Sequence, residues 1–188
     1  PESGPSAALR TLTLRHVFPF PERMRALGTA GRFYQNSGLQ RLVRSLTPLL
    51  PPKLAEVEQL MPRVSAEPFR SPPGEWFRAL APAKYRVGLL SGCIMSISFA
   101  DIDRATVRVL NRNGCDVFVP RRQTCCGALH AHDGDRPGAE MLALRNIQAF
   151  EHEPLDAVIV NAAGCGAQMK NYGELLHGER RAEAFAMR

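Results

Sequence analysis

No run of eighteen or more apolar residues occurs in this 188-residue chain, so no segment reads as a membrane-spanning helix. The first apolar stretch is broken by Arg10, Arg15 and His16, so it does not read as a secretory leader. The C-x-x-C finger of an ordinary structural zinc site is absent: Cys165 is followed by Gly166, Ala167 and Gln168. There is no glycine-rich phosphate loop, because Gly164 and Gly166 only flank a cysteine and lack the dinucleotide pattern. No Ser–His–Asp constellation can be assembled. Aromatic residues are few, at 7%, and hardly interleave with the arginines. Nucleic-acid binding is therefore not expected.

Charge is unevenly placed. The net charge is +6, and residues 1–86 carry thirteen Lys/Arg against six Asp/Glu. The front half is basic, which suits a partner subunit, an anionic membrane surface or simply solvated helix faces. With 45% hydrophobic residues, the chain can bury a core of ordinary domain size.

Pro1 to Ser6 reads as an irregular end. Short helices are then expected over Ala7–Val17, from Pro21 to Tyr34, over Gly38–Leu46 and over Lys53–Met61. Gly28 and Gly31 weigh against the second of these. Five prolines between residues 62 and 84 suggest a linker without regular structure, anchored by Trp76 and Phe77. This front section, residues 1–83, reads as a helical connector that needs something else to pack on.

From Tyr85 the pattern changes to strand and helix in alternation. Strands are expected at Arg86–Leu90, Cys115–Val119 and Ala157–Val160. Helices are expected at Phe99–Asn113, from Pro137 to about His152, and from Gly166 to Leu176. On the first of these, Ile102, Ala105, Val109 and Leu110 mark one face, Asp101 and Asp103 suit its N-terminal end, and Gly114 can close it in the left-handed conformation. The fold class is α/β: a three-layer parallel sheet, β-α-β-α-β-α, over residues 84–188.

Four of the five cysteines punctuate that domain. Cys93 is followed by 31 residues, then Cys125-Cys126-Gly127, then 37 residues, then Cys165-Gly166. Each group follows a strand, so a parallel sheet would gather all four at its carboxyl edge, where such folds bind ligands. Adjacent cysteines are an oxidation risk that a core does not need. They are useful when two sulfurs must reach one metal centre. Cys93, Cys125, Cys126 and Cys165 are thus candidate ligands of an iron–sulfur or zinc site in a reducing compartment. The plain alternative is four buried free thiols. Cys115, opening an apolar strand, reads as a core residue. His130 and His132 read as surface residues of a loop solvated by Asp133 and Asp135. Asn161 and Gln168 are neutral hydrogen-bonding groups near the presumed site.

Leu90-Ser91-Gly92-Cys93, Thr124-Cys125-Cys126-Gly127-Ala128 and Ala163-Gly164-Cys165-Gly166-Ala167, followed by Lys170 and Tyr172-Gly173, closely resemble the first cysteine-rich (CCG) domain of the glycolate oxidase iron–sulfur subunit family. More distantly the pattern is similar to lactate-utilisation iron–sulfur proteins and to the CCG-containing subunit of heterodisulfide reductase. The resemblance covers about residues 84–180. It implies a [4Fe-4S] cluster on the four cysteines and an electron-transfer role without catalysis by this chain. A flavin-containing subunit would oxidise glycolate to glyoxylate, and electrons would pass towards a membrane acceptor. The expected location is cytoplasmic, peripheral on the inner face of the cell membrane. The family's ferredoxin-type clusters and second CCG repeat are not seen, so the chain reads as a middle portion of that architecture. The broader CCG pattern ends in C-x-x-C, and Gln168 replaces its last cysteine. A zinc-bound or metal-free docking module and a thiol–disulfide enzyme are the rival classes.

Overall fold

The computed structural model describes residues 5–188, and side chains from residue 10 onward. The front section holds α1 (Pro5–His16), α2 (Pro21–Asn36), α3 (Leu39–Ser45) and α4 (Pro52–Leu60). Pro5 and Ser6, expected in an irregular end, already belong to α1, while residues 1–4 lie outside the described residues. Pro21 opens α2, where a missing amide hydrogen costs nothing. The two glycines counted against α2 prove to be contact points. A Cβ on Gly28 would lie 2.5 Å from Ile97 Cγ2, and one on Gly31 would lie 3.1 Å from Met61 Cε. Glycine lets this helix approach its neighbours more closely than alanine could.

Strand β1 (Trp76–Phe77) follows, then β2 (Tyr85–Leu90), α5 (Met95–Ser98), α6 (Ala100–Arg112) and β3 (Cys115–Phe118). Next come α7 (Ala128–His132), α8 (Arg136–Phe150), β4 (Ala157–Val160), α9 (Ala163–Lys170), α10 (Tyr172–Leu175) and α11 (Arg180–Ala186). The sheet order is β1-β3-β2-β4. β2 pairs in parallel with β3 and β4, with Gly88 opposite Phe118 and Leu90 opposite Val160. The fold is therefore the expected α/β architecture with one addition. Trp76 and Phe77 do not merely anchor a structureless linker: they add an antiparallel edge strand against Phe118 and Val117. Their aromatic and extended character outweighs the surrounding prolines, which sit outside the two paired residues.

Helices cover both faces. On one, Val87, Leu89, Val117 and Val119 form a core with Ala100 and Val107 of α6. On the other, Leu90 and Phe118 pack with Leu142, Ile147 and Phe150 of α8 and with Tyr172 and Phe185. Gly88 makes the second face possible, because a Cβ there would meet the Phe150 ring at 2.8 Å. Gly114 adopts φ +80 and closes α6 as expected. Cys115 is a buried core residue, also as expected.

The face assigned to α6 from its apolar spacing needs correction. Ile102 and Val109 are exposed, and the buried face carries Ala100, Asp103 and Val107. Small side chains let the helix lie close to the sheet there. Asn161 also draws Asp103 inward, its Nδ2 donating to Asp103 Oδ1 over 2.7 Å while its Oδ1 accepts from Thr106 Oγ1 over 3.0 Å. Asn161 therefore locks α6 to the end of β4 and is not seen bonding to a cysteine. No helix of the described residues is long and apolar enough to cross a membrane.

Burial raises the Asp103 carboxyl from 3.8 to about 6, although the Asn161 bond and Arg104 oppose the shift. A carboxyl raised in the folded state favours folding while protonated and loses that advantage as pH rises. Stability should fall between about pH 4 and pH 6, by up to about 3 kcal/mol at 1.36 kcal/mol per unit. In Asp103→Asn, urea unfolding across this range should lose that fall, leaving the variant more stable than the parent at pH 7.

Candidate iron–sulfur site

The parallel register carries β2, β3 and β4 to one edge, and the four cysteines sit there. Cys93 lies just beyond β2, and Cys125 and Cys126 lie in the loop between β3 and α7. Cys165 was expected in a loop, but it falls inside the first turn of α9. Cys125 and Cys126 are buried, and Cys93 and Cys165 are half-buried. The Sγ atoms of Cys93 and Cys125 lie 3.6 Å apart. Cys125 and Cys165 both act on the Cys126 thiol and lower it. The structure thus gathers all four cysteines at one edge of the sheet, with Cys93 and Cys125 in direct contact.

Their protons are unequally held. Hydrogen bonding to Cys125 lowers the Cys93 thiol, helped by the Ile94 amide. Bonds from Cys125 and Cys165, with the Ala128 amide, hold Cys126 down to about 3 against its burial. Cys125 is pushed up by its interactions with Cys126 and Cys93 and by burial, and Cys165 is pushed up by Cys126 and by burial. Two sulfurs favour the thiolate and two favour the thiol. Thiolate is the form that ligates metal.

Buried side chains hold the loops by their backbones. Gln123 Oε1 accepts from the Ser91 amide at 2.8 Å, and its Nε2 donates to the carbonyls of Leu89 and Pro120. This ties the end of β2 to the cysteine-pair loop. Asn146 of α8 accepts from the Thr124 amide at 2.8 Å and donates to the Cys125 carbonyl at 2.9 Å. Tyr172 donates to the Cys126 carbonyl at 2.8 Å and accepts from Asn146. Gly127 reverses the chain at φ +89. The sequence reading missed Gln123 and Asn146. A polar residue amid the apolar positions of α8 was the available signal for Asn146, and Gln123 gave none.

His130 corrects an expectation. It is 1% exposed, where a surface position was expected, and Nε2 meets the Leu14 carbonyl of α1 at 2.8 Å. Gly127 turns the chain into α7, and that turn carries His130 inward. Arg15 pairs with Asp135 and Arg10 with Asp133, so the acidic loop also grips α1. His132 is exposed, as expected. A cavity of about 320 Å³ opens beside Cys93 and Cys125, walled in part by Phe18, Met24 and Phe69 and bordered by Arg25, Arg70 and Arg121. The front section therefore contributes to the surroundings of the thiols.

Among the described residues, no three His, Cys, Asp or Glu groups are arranged around one point as a single metal ion requires. Four soft sulfur donors gathered at one sheet edge suit a polynuclear group bridged by sulfide, so the residues fit an iron–sulfur cluster. Fold and donor set define a thiol-lined site on a parallel α/β sheet. A family model for the linker region of the glycolate oxidase iron–sulfur subunit matches residues 5–61, and one for the cysteine-rich domain matches residues 87–170. The chain is thus similar to the glycolate oxidase iron–sulfur subunit in its front section and to the cysteine-rich domain over its sheet. A probable glycolate oxidase iron–sulfur subunit of Bacillus subtilis is 37% identical over 96% of this chain and 42% of its own length. The glycolate oxidase iron–sulfur subunit of Escherichia coli is 32% identical over 88% of this chain and 36% of its own length. Lactate utilization protein A of Geobacillus kaustophilus is 32% identical over 55% of this chain and 42% of its own length. The chain thus spans about two fifths of these relatives. No solved structure matches.

Tyr172→Phe removes the donor to the Cys126 carbonyl and an acceptor for Asn146. It should cost about 1–3 kcal/mol, the usual penalty for stranding a buried polar group. Equilibrium urea unfolding measures this directly, and an unchanged midpoint would refute the clamp.

Proposed function

We propose that this chain is an electron-transfer segment of a glycolate oxidase complex, holding a [4Fe-4S] cluster on Cys93, Cys125, Cys126 and Cys165. The observation that carries the reading is the gathering of the four cysteines at the carboxyl edge of the sheet, with Cys93 and Cys125 Sγ 3.6 Å apart. When bound, such a cluster supplies a one-electron carrier whose potential answers to charge, hydrogen bonds and solvent exposure. The four cysteines hold it, and the Asn146–Tyr172 clamp with Gln123 fixes the loops that carry them. Phe18, Met24 and Phe69 limit water on the cavity side, and Arg25, Arg70 and Arg121 bring positive charge near an anionic centre.

Glycolate oxidation itself belongs to a flavin-containing partner subunit, and electrons leave towards a membrane acceptor. The name of the E. coli relative supports the glycolate assignment. The basic front half supports docking to a partner or to the inner face of a membrane from the cytoplasm. A second reading, a subunit-docking module, has one observation of its own: Leu49, Leu54, Val57 and Leu60, in and before α4, are all exposed.

Metal and acid-labile sulfide analysis after anaerobic purification separates the readings. About four iron and four sulfide per chain are expected for a cubane cluster. A Cys125→Ser/Cys126→Ser variant should lose them. Zinc without sulfide, or neither, would replace the electron-transfer reading with the docking one.

A further inference from the structure

Three buried side-chain atoms among the described residues lack a hydrogen-bond partner: Asp103 Oδ2, His130 Nδ1 and Gln168 Nε2. The first two explain themselves. Asp103 belongs to a carboxyl raised towards its neutral form. His130 already uses Nε2 at the Leu14 carbonyl, and its Nδ1 can remain a bare lone pair. Gln168 differs because its Nε2 carries two N–H donors, which seldom stay unpaired in a protein interior. The residue is only 8% exposed.

Its position says which acceptor is missing. Gln168 lies three residues beyond Cys165 on α9, hence on the same helix face. Four residues further on, Tyr172 reaches the Cys126 carbonyl. Cys165 lies close enough to Cys126 to lower its thiol. Cys165 before Gln168 on α9 and Tyr172 after it, at the start of α10, thus both act on the cysteine pair. Met169 beside it packs in the same core cluster as Cys125 and Cys126. No protein acceptor takes the Nε2 hydrogens there, whereas the sulfur of a cluster held by these cysteines would.

We infer that Gln168 is a positioning residue that donates an N–H···S hydrogen bond to the cluster and raises its reduction potential. The inference rests on the iron–sulfur reading above. Reduction adds negative charge to the sulfurs, so a donor aimed at them stabilises the reduced form more than the oxidised one. Gln168 also stands three residues after Cys165, where a thiolate would instead add negative charge.

The test is a potentiometric titration followed by electron paramagnetic resonance, with iron and sulfide measured on every sample. The parent chain is compared with Gln168→Leu, which keeps the bulk and removes the donor, and with Gln168→Glu, which adds an anion of the same shape. Gln168→Leu should load equally and reduce less readily, with a reduction constant about tenfold lower, or about 59 mV for a one-electron couple. Gln168→Glu at pH 8 should fall below Gln168→Leu, an ordering that simple support of the fold would not produce. Equal potentials at equal loading overturn the inference and leave the cluster reading intact. A parent chain without iron and sulfide overturns both. Where Gln168→Leu does not fold, the isosteric Gln168→Glu decides alone, and an unlowered potential in it overturns the inference.

Discussion

The parallel pairing of β2 with both of its neighbours is the constraint on which the site depends. Three segments far apart in the chain reach the same edge only because β2 runs between β3 and β4 in the same direction. A one-residue slip would exchange the inward and outward side chains of a strand. Here it would move Gly88 from beneath Phe150, where no side chain larger than hydrogen fits. Packing on one face of the sheet therefore fixes the register that sets Cys93 against Cys125.

Above that register the loops are held by amides and a phenol. Gln123 joins the β2 and β3 ends, and Asn146 and Tyr172 hold the carbonyls of the cysteine pair. These bonds leave the sulfurs to interact among themselves, and the proton distribution follows. The Cys125 thiol is pushed up, and those of Cys93 and Cys126 are lowered. The front section closes part of the surroundings. His130 and two Arg–Asp pairs fasten α1, and Gly28 lets α2 settle on Ile97.

The alternation of strands and helices was legible from residue 85 onward, because short apolar runs bounded by glycine and proline leave few other readings. So was the grouping of the cysteines after strands. The failures share a physical cause: each depends on a partner distant in sequence. Trp76 and Phe77 form a strand only because β3 offers an edge. Asp103 turns inward only because Asn161 waits at the end of β4. His130 is buried only because α1 covers it, and α11 adds Ala182 and Phe185 to a core its own pattern did not announce. The exposed apolar residues of α3 and α4 show the reverse case, a helical periodicity that the core of the described residues does not cover.

The clamp on the cysteine pair bears on the order of events during biogenesis. Asn146 and Tyr172 grip main-chain oxygens, and neither uses a sulfur lone pair. Zinc fingers, by contrast, are organised by the bonds to their metal and unfold without it. A loop gripped in this way can be shaped by the polypeptide first and charged with inorganic atoms afterwards. The cavity beside Cys93 and Cys125 then opens onto loops that the polypeptide already holds in place.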